Sequence, residues 1–287
     1  MEKRDEQQYV DNSRLQILVA ALNQNTTTLA DRMGLECDAI VINQCNETAE
    51  SMYHYKGYQI RCYHRESRGV GLSRNEALEH ADAELLLFSD EDIVYHPGYA
   101  EEVIRCFDRN PQADLLLFNV RQSAGRETYR NTDNGRVRWY NYGRYPAYAI
   151  AARTAKLKAS GVRFSLLFGG GAKYANGEDS LFLRDCLRKG LRLYRSVEEI
   201  GEEKERESTW FEGYTEKFFH DRGVLYHYLY GKMALPFGLR WLKKNRAAFC
   251  KERPYAECKR LLKEGIRDGR VSDSDNPDDR SGEADGR

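Results

Sequence analysis

The stretch LLLFSDEDIVY, residues 85–95, runs from four apolar residues into three carboxylates and then into branched and aromatic residues. The apolar run is short and has no polar face, so it reads as a strand buried on both sides, as in an open, mostly parallel sheet covered by helices. LQILVAAL (15–22), DAIVI (38–42), YQIRCY (58–63) and ADLLLFNV (113–120) read as further strands, rich in branched or aromatic residues. LSRNEALEHA (72–81) places apolar residues at helical spacing, with Ser73 and Glu76 as a capping pair. PGYAEEVIRCF (97–107) opens with a proline that suits a first helical turn. A helix near 152–160, a short strand VRFSLLF (162–168), the glycine-rich FGGGAKYANG (168–177) and a helix EDSLFLRDCLRKG (178–190) follow. Strands alternating with helices predict the α/β class.

With 41% hydrophobic and 31% charged residues, the 287-residue composition excludes general disorder and an integral membrane protein. Forty-five basic against 45 acidic residues argues against a nucleic-acid partner. The polar start MEKRDEQQYVDNSR lacks an apolar leader region, so a cytoplasmic location is expected, at the inner face of the plasma membrane if the chain touches one. Seven scattered cysteines without a C-x-x-C pair suggest neither a disulfide framework nor a structural zinc site. The expected division is a polar tail (1–14), a catalytic domain (15–212), a helical extension (213–269) and a disordered acidic tail (270–287). Residues 121–148 read as a surface excursion with short antiparallel strands, a candidate lid or acceptor wall. Residues 223–249 mix aromatic and basic residues as interfacial helices do, which predicts weak binding to an anionic membrane, with Pro236 breaking any single long helix.

In an extended segment Asp90 and Asp92 share a face, where two carboxylates repel unless a cation lies near them. Oxygen donors favour a hard ion, Mg2+ or Mn2+, whose other ligands come from waters and substrate phosphates. Ligands of open α/β sheets bind at the carboxyl ends of the strands, where this cluster lies. The alternative is a solvated acidic loop. A second acidic pair, Glu178 and Asp179, follows the glycine run at a helix N-terminus; it also reads as an acidic first turn. SRGVGLSRNEAL (67–78) offers the amides of Gly69 and Gly71 with Arg68 and Arg74, a cradle for a phosphate or a base.

The order LNQ, NQCN, RGVGLSRNEAL, LLLFSDEDIVY and NGEDSLFLRDCLRKG resembles the family-2 glycosyltransferases of GT-A fold, especially bacterial members that assemble surface polysaccharides, over residues 15–212. The resemblance implies a nucleotide-sugar donor, a UDP-sugar, and inverting transfer to a saccharide or lipid-linked acceptor with Mn2+ or Mg2+. It implies Asp92 as the main metal ligand, Asp90 at the ribose or metal, Asp179 as general base and Glu178 beside it or at the acceptor. Ala21, Asn23 and Asn43, together with Arg68 and Arg74, are implied to hold the nucleotide. Two departures stand out. Asn43, Gln44, Cys45 and Asn46 replace an acidic run, although amides can also read a uracil edge, and KERESTWF (204–211) lacks a late histidine. Glu207 or Ser208 could replace that histidine, or Thr209 and Glu212 could simply cap a helix. Two alternatives remain: a haloacid dehalogenase-like phosphohydrolase with Asp90 as nucleophile, and a non-catalytic sugar-binding protein.

Overall fold

A computed structural model describes residues 11–122, 129–204, 213–251 and 253–275. The chain divides into two compact units: residues up to 172 together with 178–207, and residues 173–177 together with 208 onward. The expected catalytic-domain boundary at 212, the proposed roles of Glu207 and Ser208, and the Thr209–Glu212 cap all lie outside the described residues.

The first unit is built on strands β1 (Leu15–Leu22), β2 (Asp38–Gln44), β3 (Ala49–Tyr55), β4 (Tyr58–Arg65), β5 (Leu85–Asp90), β6 (Ile93–Tyr95), β7 (Leu115–Arg121), β8 (Gly135–Arg136), β9 (Ile150–Arg153) and β10 (Leu193–Glu203). They form one sheet in the order β3-β4-β2-β1-β5-β9-β7-β10-β6, with β8 on β10. Helices α1 (Thr26–Met33), α2 (Val70–His80), α3 (Tyr99–Arg109), α4 (Thr154–Ser160) and α5 (Glu178–Arg188) connect them. The sheet is mixed. β4-β2-β1-β5 and the β7–β10 pair are parallel, while β3, β6, β8 and β9 pair antiparallel. The parallel strands β1, β2 and β5 are buried almost throughout, as their unbroken apolar runs predict.

Register sets up the site. β1 pairs Ala20 with Asp90 of β5 and Ala21 with Asn43 of β2, so three neighbouring strands bring these residues to one carboxyl edge.

Several sequence expectations need correction. Residues 162–168 form no strand; Phe164 is instead held by Asn75, which accepts from its N–H (2.8 Å) and donates to its C=O (2.9 Å). That side chain satisfies the peptide polar groups a strand neighbour otherwise would. Ser73 and Glu76 form no capping box, because α2 starts earlier, at Val70. Ser73 is buried and accepts from the Gln44 amide, while Glu76 pairs with Arg65 at 2.6 Å. β3 and β10 were not legible in the pattern: β3 is mostly exposed, and β10 carries four glutamates and only part of an apolar face. In the described part of the 121–148 excursion, the two-residue β8 is the one strand after β7, and Tyr129, Asn131, Tyr142, Tyr145 and Tyr148 are buried rather than superficial.

The second unit packs α6 (Glu216–Tyr230), α7 (Ala234–Lys244), α8 (Arg246–Phe249) and α9 (Tyr255–Asp275) around Phe219, Leu242, Cys258, Leu262 and Ile266. α6 and α9 cross backbone to backbone: a Cβ on Gly265 would lie 1.9 Å from the His220 carbonyl, and one on Gly223 2.3 Å from that of Leu262. Only glycine permits that approach. The helical run breaks at Gly231 (φ 52°), not at Pro236, which sits in the first turn of α7 where its missing N–H costs nothing. α9 continues to Asp275, past the expected start of the acidic tail at 270; residues 276–287 lie outside the described part. Among the described residues no helix is long and apolar enough to cross a membrane.

Candidate active site

At the carboxyl edge of β1 and β2 the backbone turns sharply. Asn23 has a positive φ of 50° and donates its N–H to the Gln44 carbonyl at 2.9 Å. Asparagine is among the few residues that tolerate this conformation. Asn43 is buried; its Oδ1 accepts from the Gln24 N–H (3.0 Å) and its Nδ2 donates to the Gln24 carbonyl (2.9 Å). Its amide therefore shapes the β1–α1 turn rather than facing a base. Gln44 clamps Gly69 in the same way, donating to its C=O (2.9 Å) and accepting its N–H (3.2 Å). Arg68 donates to the Gln44 carbonyl (3.2 Å) and to Asn46 Oδ1 (3.1 Å). The amides that replace the acidic run thus carry a structural load, and Ala21, 4% exposed, pairs with Asn43 from β1.

Arg74 is the centre of the site. Sequence placed it beside the nucleotide; the structure buries it, with 4% of its side chain exposed, among three carboxylates. Its Nη2 donates to both oxygens of Asp90 (2.9 and 3.2 Å), and its Nη1 donates to Asp179 (3.0 Å) and Glu178 (3.3 Å). One guanidinium therefore joins the acid at the end of β5 to the acidic pair that opens α5. The Phe164 ring lies 5.3 Å from that guanidinium, stacks on Phe182 at 4.0 Å and meets Phe88 edge-on. Phe88 is two residues before Asp90 on its strand and Phe182 one helical turn after Asp179, so this aromatic floor fixes both acids. A signal for the inward Arg74 existed in the sequence: it lies three and four residues before Ala77 and Leu78, on the buried face of α2. Phe164 was missed as a site residue, because an expected strand gave it no particular direction.

One cation among three acids leaves an excess of negative charge. Burial and the neighbouring Glu178 push the Asp179 carboxyl well above the ordinary range, against the pull of Arg74 and a backbone N–H bond from Ala147. Burial, with repulsion from Asp90, Glu91 and Glu203, pushes Asp92 up to about 7. Glu203 enters because β10 pairs it with Ile93, beside the β5–β6 turn that carries Asp92. The partly buried Asp92 carboxyl, which resists ionisation in the bare protein, fits a hard divalent ion.

The sign of the Asp92 effect follows from linkage. A carboxyl raised from 3.8 to about 7 disfavours its own ionised form in the fold, so stability falls as pH rises through that window. In chelator at pH 8, Asp92→Asn is expected to melt at least ~2–4 °C above the parent, each ~1 kcal/mol giving about that shift, with the difference smaller at pH 5 and closing only below the ordinary carboxyl value of 3.8. Equal melting at both pH values would contradict this electrostatic account of Asp92.

The two motif loops meet at the glycine run. Val70 donates its N–H to the Gly170 carbonyl at 2.9 Å. Gly169 has φ 106°, and a Cβ there would lie 2.8 Å from both Glu178 Cδ and Val70 Cγ1. These glycines serve close approach, so that α5 starts against the α2 loop.

A mixed α/β sheet that gathers acids from β5 and α5 at its carboxyl edge has the GT-A architecture of glycosyltransferases. Residues 13–167, more than half of the chain, match Glycosyl transferase family 2, and the chain belongs to that family. Family membership and the position of Asp90 on the fifth strand set aside the phosphohydrolase alternative. No curated protein matches the chain significantly by sequence. Among solved structures, S. aureus TarS (residues 1–349) in complex with UDP-GlcNAc is similar at a TM-score of 0.58 and 16% identity, over 82% of this chain and 73% of that one. The mannosyltransferase PcManGT from Pyrobaculum calidifontis, in complex with GDP-Man and Mn2+, is similar at 0.50 and 12% identity, over 91% and 87%. At these identities the likeness concerns the fold.

Proposed function

We propose that the chain transfers a sugar, with inversion, from a UDP-sugar to a hydroxyl of a saccharide or lipid-linked saccharide, as in bacterial surface-polysaccharide assembly. The observation that carries this reading is the Arg74 bridge, which holds Asp90 and Asp179 at opposite sides of one guanidinium. Asp92, with Asp90, is the donor set that fits Mn2+ or Mg2+, whose charge when bound offsets that of a departing diphosphate. Asp179 takes the proton from the attacking acceptor hydroxyl; its raised proton affinity suits a base that works near neutral pH. Glu178 positions Asp179 or meets the acceptor, and Arg74 orients both. Ala21, Asn23, Asn43 and Arg68 form the nucleotide edge, with Asn43 acting through the turn it braces. Support for the donor class comes from family membership and from the UDP-GlcNAc and GDP-Man named for TarS and PcManGT.

The test is a panel of nucleotide-sugars with Mn2+, Mg2+ or chelator. A UDP-sugar at 100 times its Kd adds about 2.7 kcal/mol to stability, a rise of several degrees in Tm, and chelator should remove most of it. No stabilisation by any nucleotide-sugar would instead favour the non-catalytic alternative.

In this reading residues 15–212 are the catalytic domain and 213–269 an extension that reaches an anionic membrane from the cytoplasmic side. Lys243, Lys244, Arg246, Lys251 and Arg253 surround one cavity of about 850 Å³ in that extension, a cationic surface of the required sign. The protein is expected to co-sediment with phosphatidylglycerol vesicles at low salt and not with neutral ones; no difference between the two would remove the membrane from the proposal.

A further inference from the structure

The connection from β2 to β3 has an unusual task. β4 lies between those two strands in the sheet, so residues 45–48 must cross the end of β4. The register shows where: His64 of β4 faces Asn43 on one side and Ala49 on the other. The crossing turn therefore lays Cys45 and Glu47 over His64, and Cys45 is pinned there by its N–H bond to the Arg65 carbonyl at 2.9 Å. Cys45 Sγ lies 3.5 Å from His64 Nδ1, Glu47 Oε1 lies 3.4 Å from the same nitrogen, and all three ligand atoms fall within 4.8 Å of one another.

We propose that Cys45, Glu47 and His64 form a binding site for a borderline-soft divalent cation, Zn2+ first, separate from the acids at Asp90 and Asp92. Tetrahedral Zn2+ with ordinary bond lengths has a sulfur–nitrogen edge of about 3.6 Å and a nitrogen–oxygen edge of about 3.3 Å. The observed separations are close to both. His64 has 15% of its side chain exposed and sits on the β4 ladder, while Glu47, at 66%, can swing to close the sulfur–oxygen edge, now within 4.8 Å, to the ~3.6 Å that tetrahedral Zn2+ needs. A thiol and an imidazole select Zn2+ over Mg2+ or Mn2+, which the all-oxygen donors of Asp90 and Asp92 suit instead. Binding replaces the thiol proton by a sulfur–metal bond and releases that proton to solvent. Three protein ligands leave a fourth position for water. Arg68 is anchored to Gln44 and Asn46 in the same turn, so an ion here would stiffen the edge of the candidate nucleotide site. The sequence hid the site because Cys45 and Glu47 come from a turn and His64 from a strand 19 residues after Cys45, outside any C-x-x-C pattern.

Co2+ titration of reduced, chelator-stripped full-length protein in excess Mg2+ tests this. The expected result is a thiolate-to-cobalt absorption band in the near ultraviolet that saturates at about one ion per chain and is displaced by Zn2+. Cys45→Ser should lose the band, and His64→Gln should weaken binding by about tenfold or more, with both variants melting as the parent does in chelator. Cys250→Ser should keep the band; it controls for the other thiol pair, Cys250 and Cys258, whose sulfurs lie 3.9 Å apart. Absence of the band in the parent, or its persistence in Cys45→Ser, overturns the proposal and leaves the three side chains as a hydrogen-bonded cluster only.

Discussion

Asp179→Asn, which removes the proposed general base, is expected to lower kcat by about 10²–10⁴-fold, while the Kd for the donor nucleotide stays within about twofold. The amide keeps the shape of the carboxyl and can still accept from Arg74, so the bridge to Asp90 persists. What is lost is the capacity to take a proton. Because the acceptor hydroxyl is a poor nucleophile until that proton leaves, the loss falls on turnover rather than on donor binding. Initial rates of nucleoside diphosphate release, set beside calorimetric donor affinity, separate the two. A variant that turns over within about threefold of the parent would move the base elsewhere.

Removing Arg74 should have the largest effect on stability. Arg74→Leu leaves Asp90, Glu178 and Asp179 crowded without their cation, and loss of one partner from a buried ionic cluster costs about 3–5 kcal/mol. The cost has a definite pH dependence. It shrinks as pH falls and Asp179, whose carboxyl burial and Glu178 already push up, takes up a proton and no longer repels its neighbours. Urea unfolding at pH 8 and pH 5 measures both the cost and its change. Arg74→Lys should be intermediate, since an ammonium keeps the charge but lacks the planar fork that spans β5 and α5. A loss below about 1 kcal/mol at pH 8 would mean that the cluster does not hold β5 and α5 together.

The parts of this protein that were readable beforehand are those where one physical demand dominates. Strands buried on both faces, such as LLLFSD in β5 and LQILVAAL in β1, have no polar choice to make and announce themselves. β3 failed because its residues face solvent and alternate weakly, and its partner β4 lies nearby in sequence without a strong turn signature. The two acidic pairs were visible as clusters, yet the residue that joins them was assigned to the nucleotide. Sequence shows an arginine near a loop; only the burial of Ser73, Arg74, Ala77 and Leu78 on one face of α2 turns it inward. Asn43 and Gln44 show the converse: amides that look available for a base are already bonded to Gln24 and Gly69.

In the proposed mechanism Asp92 holds a divalent ion against a diphosphate while Asp179 faces the same substrate from α5. Crystals grown with UDP and Mn2+, measured at the manganese absorption edge, test this arrangement. The expected result is an anomalous peak within about 2.0–2.6 Å of an Asp92 oxygen and of diphosphate oxygens, with the Asp179 carboxylate on the far side of the sugar position. A nucleotide bound away from Asp92, or an ion that contacts neither Asp92 nor phosphate, would contradict it.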